Sequence, residues 1–190
     1  PLKILGITIY RYFRPFNFKL LETMTNNKIG DLSSLKNRAR DWKKKNKRNL
    51  ENLRRNKDLS YLSQDAHIQV FREINCLQCA NCCKTTGPLF TDRDINRLAK
   101  HLNLSYQEFC DRYLRKDEDG DLVLQTLPCP FLDSNHYCTI YDVRPKACRE
   151  YPHTDATHQN QIFSLTLKNA EICPAVLQVL EKLVKNTIRT

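Results

Sequence analysis

The chain has 190 residues, 41% of them hydrophobic, and a net charge of +10, a size that suits one domain with extensions. Only four glycines are present, with neither GxGxxG nor GxxxxGKS/T, which argues against a dinucleotide-binding or P-loop scaffold. Nine cysteines are more than packing needs, since a free thiol packs only as a small hydrophobe, and an odd number fits a closed disulfide set poorly.

Charge divides the chain. Residues 1–75 carry 17 of the 31 Lys and Arg but 7 of the 21 Asp and Glu, so the whole basic excess lies there, and residues 76–190 balance at 14 of each. The shift marks a boundary near residues 60–75.

The apolar run Ile4 to Tyr10 is too short to cross a bilayer, which takes about 20 residues, and Arg11, Arg14 and Lys19 follow it. Only Lys3 precedes it and no Ala-x-Ala-like cleavage site follows, so it does not read as a signal peptide; a membrane-surface segment is the alternative. No transmembrane segment is found, and a cytoplasmic location is expected. The only Met is Met24. It is read as the natural start, and residues 1–30 as a non-native or disordered extension.

Residues 31–70 read as a basic helical arm. Leu32, Leu35, Ala39, Trp42, Leu50 and Leu53 recur at helical intervals, with Lys43-Lys44-Lys45 and Lys47-Arg48 between them. One basic helix is predicted over 31–58, continuing as helix over 61–75 through Ile68, Val70 and Phe71 before it breaks into the cysteine run. The arm is either a solvated helix packing one stripe on the domain or a surface attracted to an acidic protein or nucleic acid. Without interleaved aromatics, base stacking has no support.

Residues 71–190 read as a cysteine-organised domain. Cys76-Leu77-Gln78-Cys79-Ala80-Asn81-Cys82-Cys83 places four thiols in eight residues. Soft-metal ligation uses that density, because Cys-x2-Cys lets a tight turn aim two thiolates at one ion. If the segment is helical, Cys76, Cys79 and Cys83 share a stripe; if it is extended, Cys82 and Cys83 face opposite sides. Either way the two neighbours answer to different partners or to different metals.

Thr85 to Pro88 reads as a turn. Thr91 with Asp94, and Ser105 with Glu108, are two capping boxes that open helices near 92–102 and 106–115. Ile95, Leu98, Ala99 and Leu102 form one inner face; Phe109, Cys110, Tyr113 and Leu114 form the other, which makes Cys110 a core residue. Asp117 to Asp121 lacks the spacing and terminal Glu of a calcium loop and reads as a hairpin or loop before a strand at 122–124. A short helix is expected to be entered through Asp142 with Pro145 in its first turn, a strand is predicted at 161–167, and Cys173-Pro174 opens a last helix to about Lys185.

Cys129, Cys138, Cys148 and Cys173 are spread through this half. With Cys76, Cys79, Cys82 and Cys83 they make eight candidate ligands, enough for two four-coordinate centres or one larger cluster. Cys129-Pro130 and Cys173-Pro174 echo the last Cys-Pro of a ferredoxin motif, which favours an iron–sulfur cluster, while thiolates serve Zn2+ equally well. Arg144 and Arg149 flank Cys148, either holding thiol pKa values down or pairing with Asp142 and Glu150. His136 and His153 are the candidates for a mixed site.

The run Cys76-x2-Cys79-x2-Cys82-Cys83, then Pro128-Cys129-Pro130-Phe131-Leu132, Cys138-x-Ile140-Tyr141, Arg144-Pro145-x2-Cys148-Arg149-x-Tyr151-Pro152 and a late Cys173 resembles the bacterial CxxCxxCC cysteine-cluster family, also called YkgJ-like. The likeness covers about residues 70–180, leaving residues 1–70 and Cys110 outside. It implies a zinc- or iron-chelating domain, often labelled an iron–sulfur oxidoreductase; a related branch is linked to lysine methylation of flagellin. The expectation is a small, irregular, mostly helical α+β domain organised by metal. Three readings follow: a zinc- or iron-binding protein, with an iron–sulfur cluster and redox role as its finer form; a zinc-stabilised module whose basic arm meets an acidic partner; and a cluster-dependent enzyme such as a protein lysine methyltransferase.

Overall fold

The computed structural model describes residues 29–188, and the readings of the first 28 residues, Met24 included, lie outside it. Helices α1 (Leu35–Lys45) and α2 (Lys47–Arg55) stand where a single basic helix is predicted. The break falls at Asn46, whose side-chain amide donates to the Trp42 carbonyl at 2.9 Å. Such local side-chain bonding competes with the helical backbone. α3 (Leu59–Phe71) follows.

These helices are not solvated on all sides. Leu35, Ala39, Leu50, Leu53, Leu59, Ala66 and Val70 are buried in one hydrophobic cluster with Phe163, Val176, Val179, Leu180 and Leu183 from the end of the chain. The partners are α9 (Gln159–Asn169) and α10 (Pro174–Ile188), both of which pack on α2 and α3. Pro174 opens α10 at the position where a missing N–H costs nothing. Ala175 to Leu177, Val179, Leu180, Leu183 and Val184 are all buried, so α10 is the central rod of this core.

α9 corrects the strand expected at 161–167. Gln-Ile-Phe-Ser-Leu-Thr-Leu mimics a strand by composition, yet the buried positions of the helix are Gln159, Phe163, Thr166 and Asn169, a helical stripe. Its polar members are satisfied internally: the Thr166 hydroxyl donates to Gln159 Oε1 at 3.2 Å, and the Gln159 amide donates to the His153 carbonyl.

The second cluster is built from α6 (Asp92–His101), α7 (Tyr106–Tyr113), strands β1 (Leu114–Lys116) and β2 (Leu122–Leu124), and the loop that follows them. Both capping boxes form: Asp94 N–H donates to Thr91 Oγ1 at 3.2 Å, and Glu108 N–H to Ser105 Oγ at 3.2 Å. β1 and β2 pair antiparallel, Leu114 opposite Leu124. Their turn is closed by the Asp117 carboxylate, which accepts from the N–H groups of Asp119 and Asp121, and Gly120 takes the φ of +84° that the turn requires. Phe109 stacks on Phe131 and tilts against Tyr113, joining helix, hairpin and loop. The fold is thus mostly helical with a small two-stranded sheet.

Cysteines line both interiors. Cys79 and Cys173 pack into the first cluster, and Cys129 and Cys138 against the second.

Candidate metal centre

The cysteine run folds as two short turns, α4 (Cys76–Cys79) and α5 (Asn81–Thr85). Between them Ala80 is left-handed, with φ +47° and ψ +18°. A residue with a Cβ resists that conformation by roughly 1–2 kcal/mol. The reversal re-aims the second turn, so neither the single helical stripe nor the extended alternative describes the segment. Cys82 and Cys83 remain neighbours, with their sulfurs 3.9 Å apart.

Two backbone anchors carry distant cysteines to this run. The Asn81 side-chain amide donates to the Ile172 carbonyl at 2.6 Å, tying α5 to the residue before Cys173. The Cys129 N–H donates to the Cys83 carbonyl at 2.8 Å. Leu132 bridges Cys138, so Cys129 and Cys138 flank one tight bend.

Cys148 lies on α8 (Lys146–Glu150), which follows a 3-10 turn at Tyr141–Val143. A residue of α6 positions it. Asp94, 2% exposed, spends one carboxylate oxygen on Thr91 and offers Oδ1 to the Lys146 N–H at 3.0 Å and to Arg97 at 2.6 Å. Arg97 in turn donates to the carbonyls of Val143 and Arg144. Asp94 therefore caps two helices, one of them the carrier of Cys148. Its short side chain, an Asp where a capping box ordinarily has Glu, was the only trace of this in the sequence.

The electrostatic neighbours of the thiols form two groups that overlap at Cys83. Burial pushes Cys173 up to about 12, with Cys76 and Cys79 adding to it. Cys82 is raised by its hydrogen bond with Cys83, by burial, and by the charges of Cys83, Cys173 and Cys76. Burial pushes Cys148 up to about 12, and Cys83, Cys129 and Cys138 add to that. Cys129 is pushed up to about 11 by burial, then by Cys83 and Cys138. Cys76, Cys79, Cys82 and Cys173 make one group; Cys129, Cys138 and Cys148 gather about Cys83 in the other. Cys83 adjoins both, since it also raises Cys76, Cys79 and Cys82.

Cys83 goes the other way. The hydrogen bond from Cys82, then the charges of Arg144 and Lys84, pull it below the ordinary thiol value. Arg144 also lowers Cys76, Cys138 and Cys148, while its guanidinium lies 3.5 Å over the Tyr141 ring. Of the two flanking arginines, Arg144 thus faces the thiols. Arg149 donates to the Arg144 carbonyl, and Glu150 pairs with Lys146. His136 is engaged by Lys84, ring Nε2 to Nζ 2.8 Å, and His153 stands edge-on to Tyr151. Cys110 packs against the second cluster, and its charged neighbours are Asp111 and Asp92 rather than other thiols.

All nine cysteines are free thiols. Among the described residues no three Cys, His, Asp or Glu side chains already form a closed cage; the thiols are neighbours rather than a finished shell. The donor chemistry nevertheless fits a soft metal. Eight cysteines supply soft donors, the charges of Arg144 and Lys84 act on Cys83 among them, and one buried hydroxyl, that of Tyr151, has no hydrogen-bond partner among the described residues.

A family model described as "CxxCxxCC: Putative zinc- or iron-chelating domain" matches residues 75–174. The chain is also similar to "Uncharacterized protein MJ0661" of Methanocaldococcus jannaschii, 34% identical over 83 residues, which covers 42% of this chain and 44% of that relative's length. No solved structure matches it. Among the described residues no helix is long and apolar enough to cross a membrane.

Proposed function

We propose, since the chain belongs to the CxxCxxCC family, that it binds zinc or iron at two four-thiolate centres. The first is made by Cys76, Cys79, Cys82 and Cys173, the second by Cys83, Cys129, Cys138 and Cys148. The supporting observation is that Cys173 has Cys76 and Cys79 as thiol neighbours, while Cys129 and Cys148 have Cys83 and Cys138; Cys83 adjoins both groups and is assigned to the second because the Cys129 N–H donates to its carbonyl at 2.8 Å. Closing each set draws its sulfurs onto one centre and expels their protons, so metal affinity is tied both to folding and to pH. Bound zinc supplies a structural staple, whereas an iron–sulfur cluster adds one-electron transfer.

The finer reading, an iron–sulfur protein with a redox role, is supported by the cluster spacing followed by Cys129-Pro130 and Cys173-Pro174. Metal analysis and an absorption spectrum on anaerobically purified protein test both forms. Two colourless zinc ions per chain, or a visible thiolate-to-iron band, are the two supporting outcomes. Cys148→Ser and Cys173→Ser should each remove about half of the metal, because each opens a different closed site. Metal content indifferent to both substitutions refutes the two-centre arrangement.

A second reading concerns the outer face of α1 and α2. Arg40 and Lys43 pair with Glu171 at 3.0 and 2.6 Å, leaving Lys44, Lys45, Lys47 and Arg48 exposed beside a recess lined by Leu50, Phe163 and Leu167. An acidic protein or a nucleic acid suits this face. Binding that survives high salt refutes a charge-driven contact.

A further inference from the structure

Tyr151 ends α8, three residues beyond Cys148. Its backbone N–H donates to the Ala147 carbonyl at 3.1 Å, and its ring meets His153 edge-on at 6.4 Å. The next residue places Tyr151 near Cys173: the Pro152 carbonyl accepts from the Asn169 side-chain amide at 3.4 Å, and the Asn169 carbonyl accepts from the Cys173 N–H at 2.8 Å. The Tyr151 hydroxyl is buried, yet among the described residues it has no hydrogen-bond partner. Buried hydroxyls are nearly always paired, so an orphan asks what it is for.

Its charged neighbours answer. They are Cys173, Cys82, Cys79 and Cys76, the whole of the first thiol set. None of these sulfurs stands within hydrogen-bond reach of the phenol, and a neutral thiol is a weak acceptor. A thiolate is a strong one. The chain thus keeps an unpaired O–H beside four thiols that accept well only after losing their protons.

We propose that the Tyr151 hydroxyl is a hydrogen-bond donor to a metal-bound thiolate of the Cys76, Cys79, Cys82 and Cys173 centre, a positioning residue that makes this centre unlike the other. This rests on the two-centre reading above. The bond draws charge from one sulfur, which steadies the thiolate form and holds its orientation. At an iron centre it also raises the reduction potential, since hydrogen bonds to sulfur set that potential.

The experiment is a titration of the full chain with Co2+, read by its thiolate-to-cobalt bands, in wild type, Tyr151→Phe, and Tyr151→Phe combined with Cys148→Ser or with Cys173→Ser. The wild type should take about two Co2+ per chain. Tyr151→Phe should keep both sites but weaken one by roughly 10–100-fold and shift its band. That loss should persist with Cys148→Ser, which leaves the first centre, and vanish with Cys173→Ser, which leaves the second. Two unchanged sites, or a loss that follows the second centre, overturn the proposal while leaving the metal reading standing. No cobalt bound by the wild type overturns both. A tyrosinate-to-metal band in the wild type overturns it in favour of direct ligation.

Metal-free protein gives an independent check. There the hydroxyl has no partner to lose, so Tyr151→Phe should melt no lower than the wild type. A lower melting temperature without metal means that the hydroxyl serves the fold, and overturns the proposal.

Discussion

Replacing Asp94 with Ala should loosen the second centre from a distance. The carboxylate accepts from Thr91 N–H at 3.2 Å and Thr91 Oγ1 at 2.7 Å, and from Lys146 N–H at 3.0 Å and Arg97 at 2.6 Å. Losing the capping box costs about 1 kcal/mol. Leaving the Lys146 N–H without its acceptor adds about 1–3 kcal/mol. Arg97 keeps the Val143 and Arg144 carbonyls, so its loss is the smallest part. The sum, about 2–4 kcal/mol, is a large share of the 5–15 kcal/mol that holds an ordinary domain together. Urea denaturation followed by circular dichroism measures it. Asp94→Asn should lose about half as much, since one amide oxygen can serve Thr91 or Lys146 but not both. The same substitution should lower metal occupancy at the Cys148 centre and spare the Cys173 centre. A loss below about 1 kcal/mol with metal content unchanged would refute the role given to Asp94.

Three further outcomes can be checked. Burial raises the Asp94 carboxyl, but the bonds from Thr91, Arg97 and Lys146 outweigh it and hold the group below the ordinary 3.8. Its stabilisation is therefore complete above pH 3.8 and lost as pH falls through the lower folded value, so the gap between wild type and Asp94→Ala should narrow in acid. In metal-free protein Cys83 should alkylate first near neutral pH, and Arg144→Ala should slow it, because the hydrogen bond from Cys82, then Arg144 and Lys84, favours its thiolate; mass mapping that finds Cys148 or Cys173 faster would refute this. Leu180→Ala, at a fully buried position of α10, should cost about 2–5 kcal/mol; a loss within about 0.5 kcal/mol, as at the surface, would mean that the N-terminal helices do not rely on α10.

Several elements were legible because their signals are local. Thr91-Asp94 and Ser105-Glu108 name the starts of α6 and α7 within four residues, and Leu122-Val123-Leu124 names the second strand, whereas the first, Leu114–Lys116, begins inside the stretch expected to be helical. α9 was not legible, because its inward stripe holds Gln159, Thr166 and Asn169 while Leu165 is 42% exposed. Hydropathy inverts where polar groups find partners inside, and no window of sequence reveals those partners. The Asn46 break was likewise hidden by a hydrophobic stripe that continues across it. At the candidate site, spacing identified the thiols but not their company. That Cys83 keeps company with Cys148, and Cys82 with Cys173, follows from anchors such as Asn81 to Ile172, which join residues far apart in the chain. The second duty of Asp94 and the unpartnered Tyr151 hydroxyl belong to the same long-range category.

Ala80 has a wider consequence. By reversing the backbone between two single turns, it parts Cys79, which packs into the first oily interior, from Cys82 and Cys83 on the next turn. That next turn is moored twice, by the Asn81 side chain to the Ile172 carbonyl and by the Cys83 carbonyl to the Cys129 N–H. One buried methyl-bearing residue thus fixes how a five-residue segment is strung between the end of the chain and its middle.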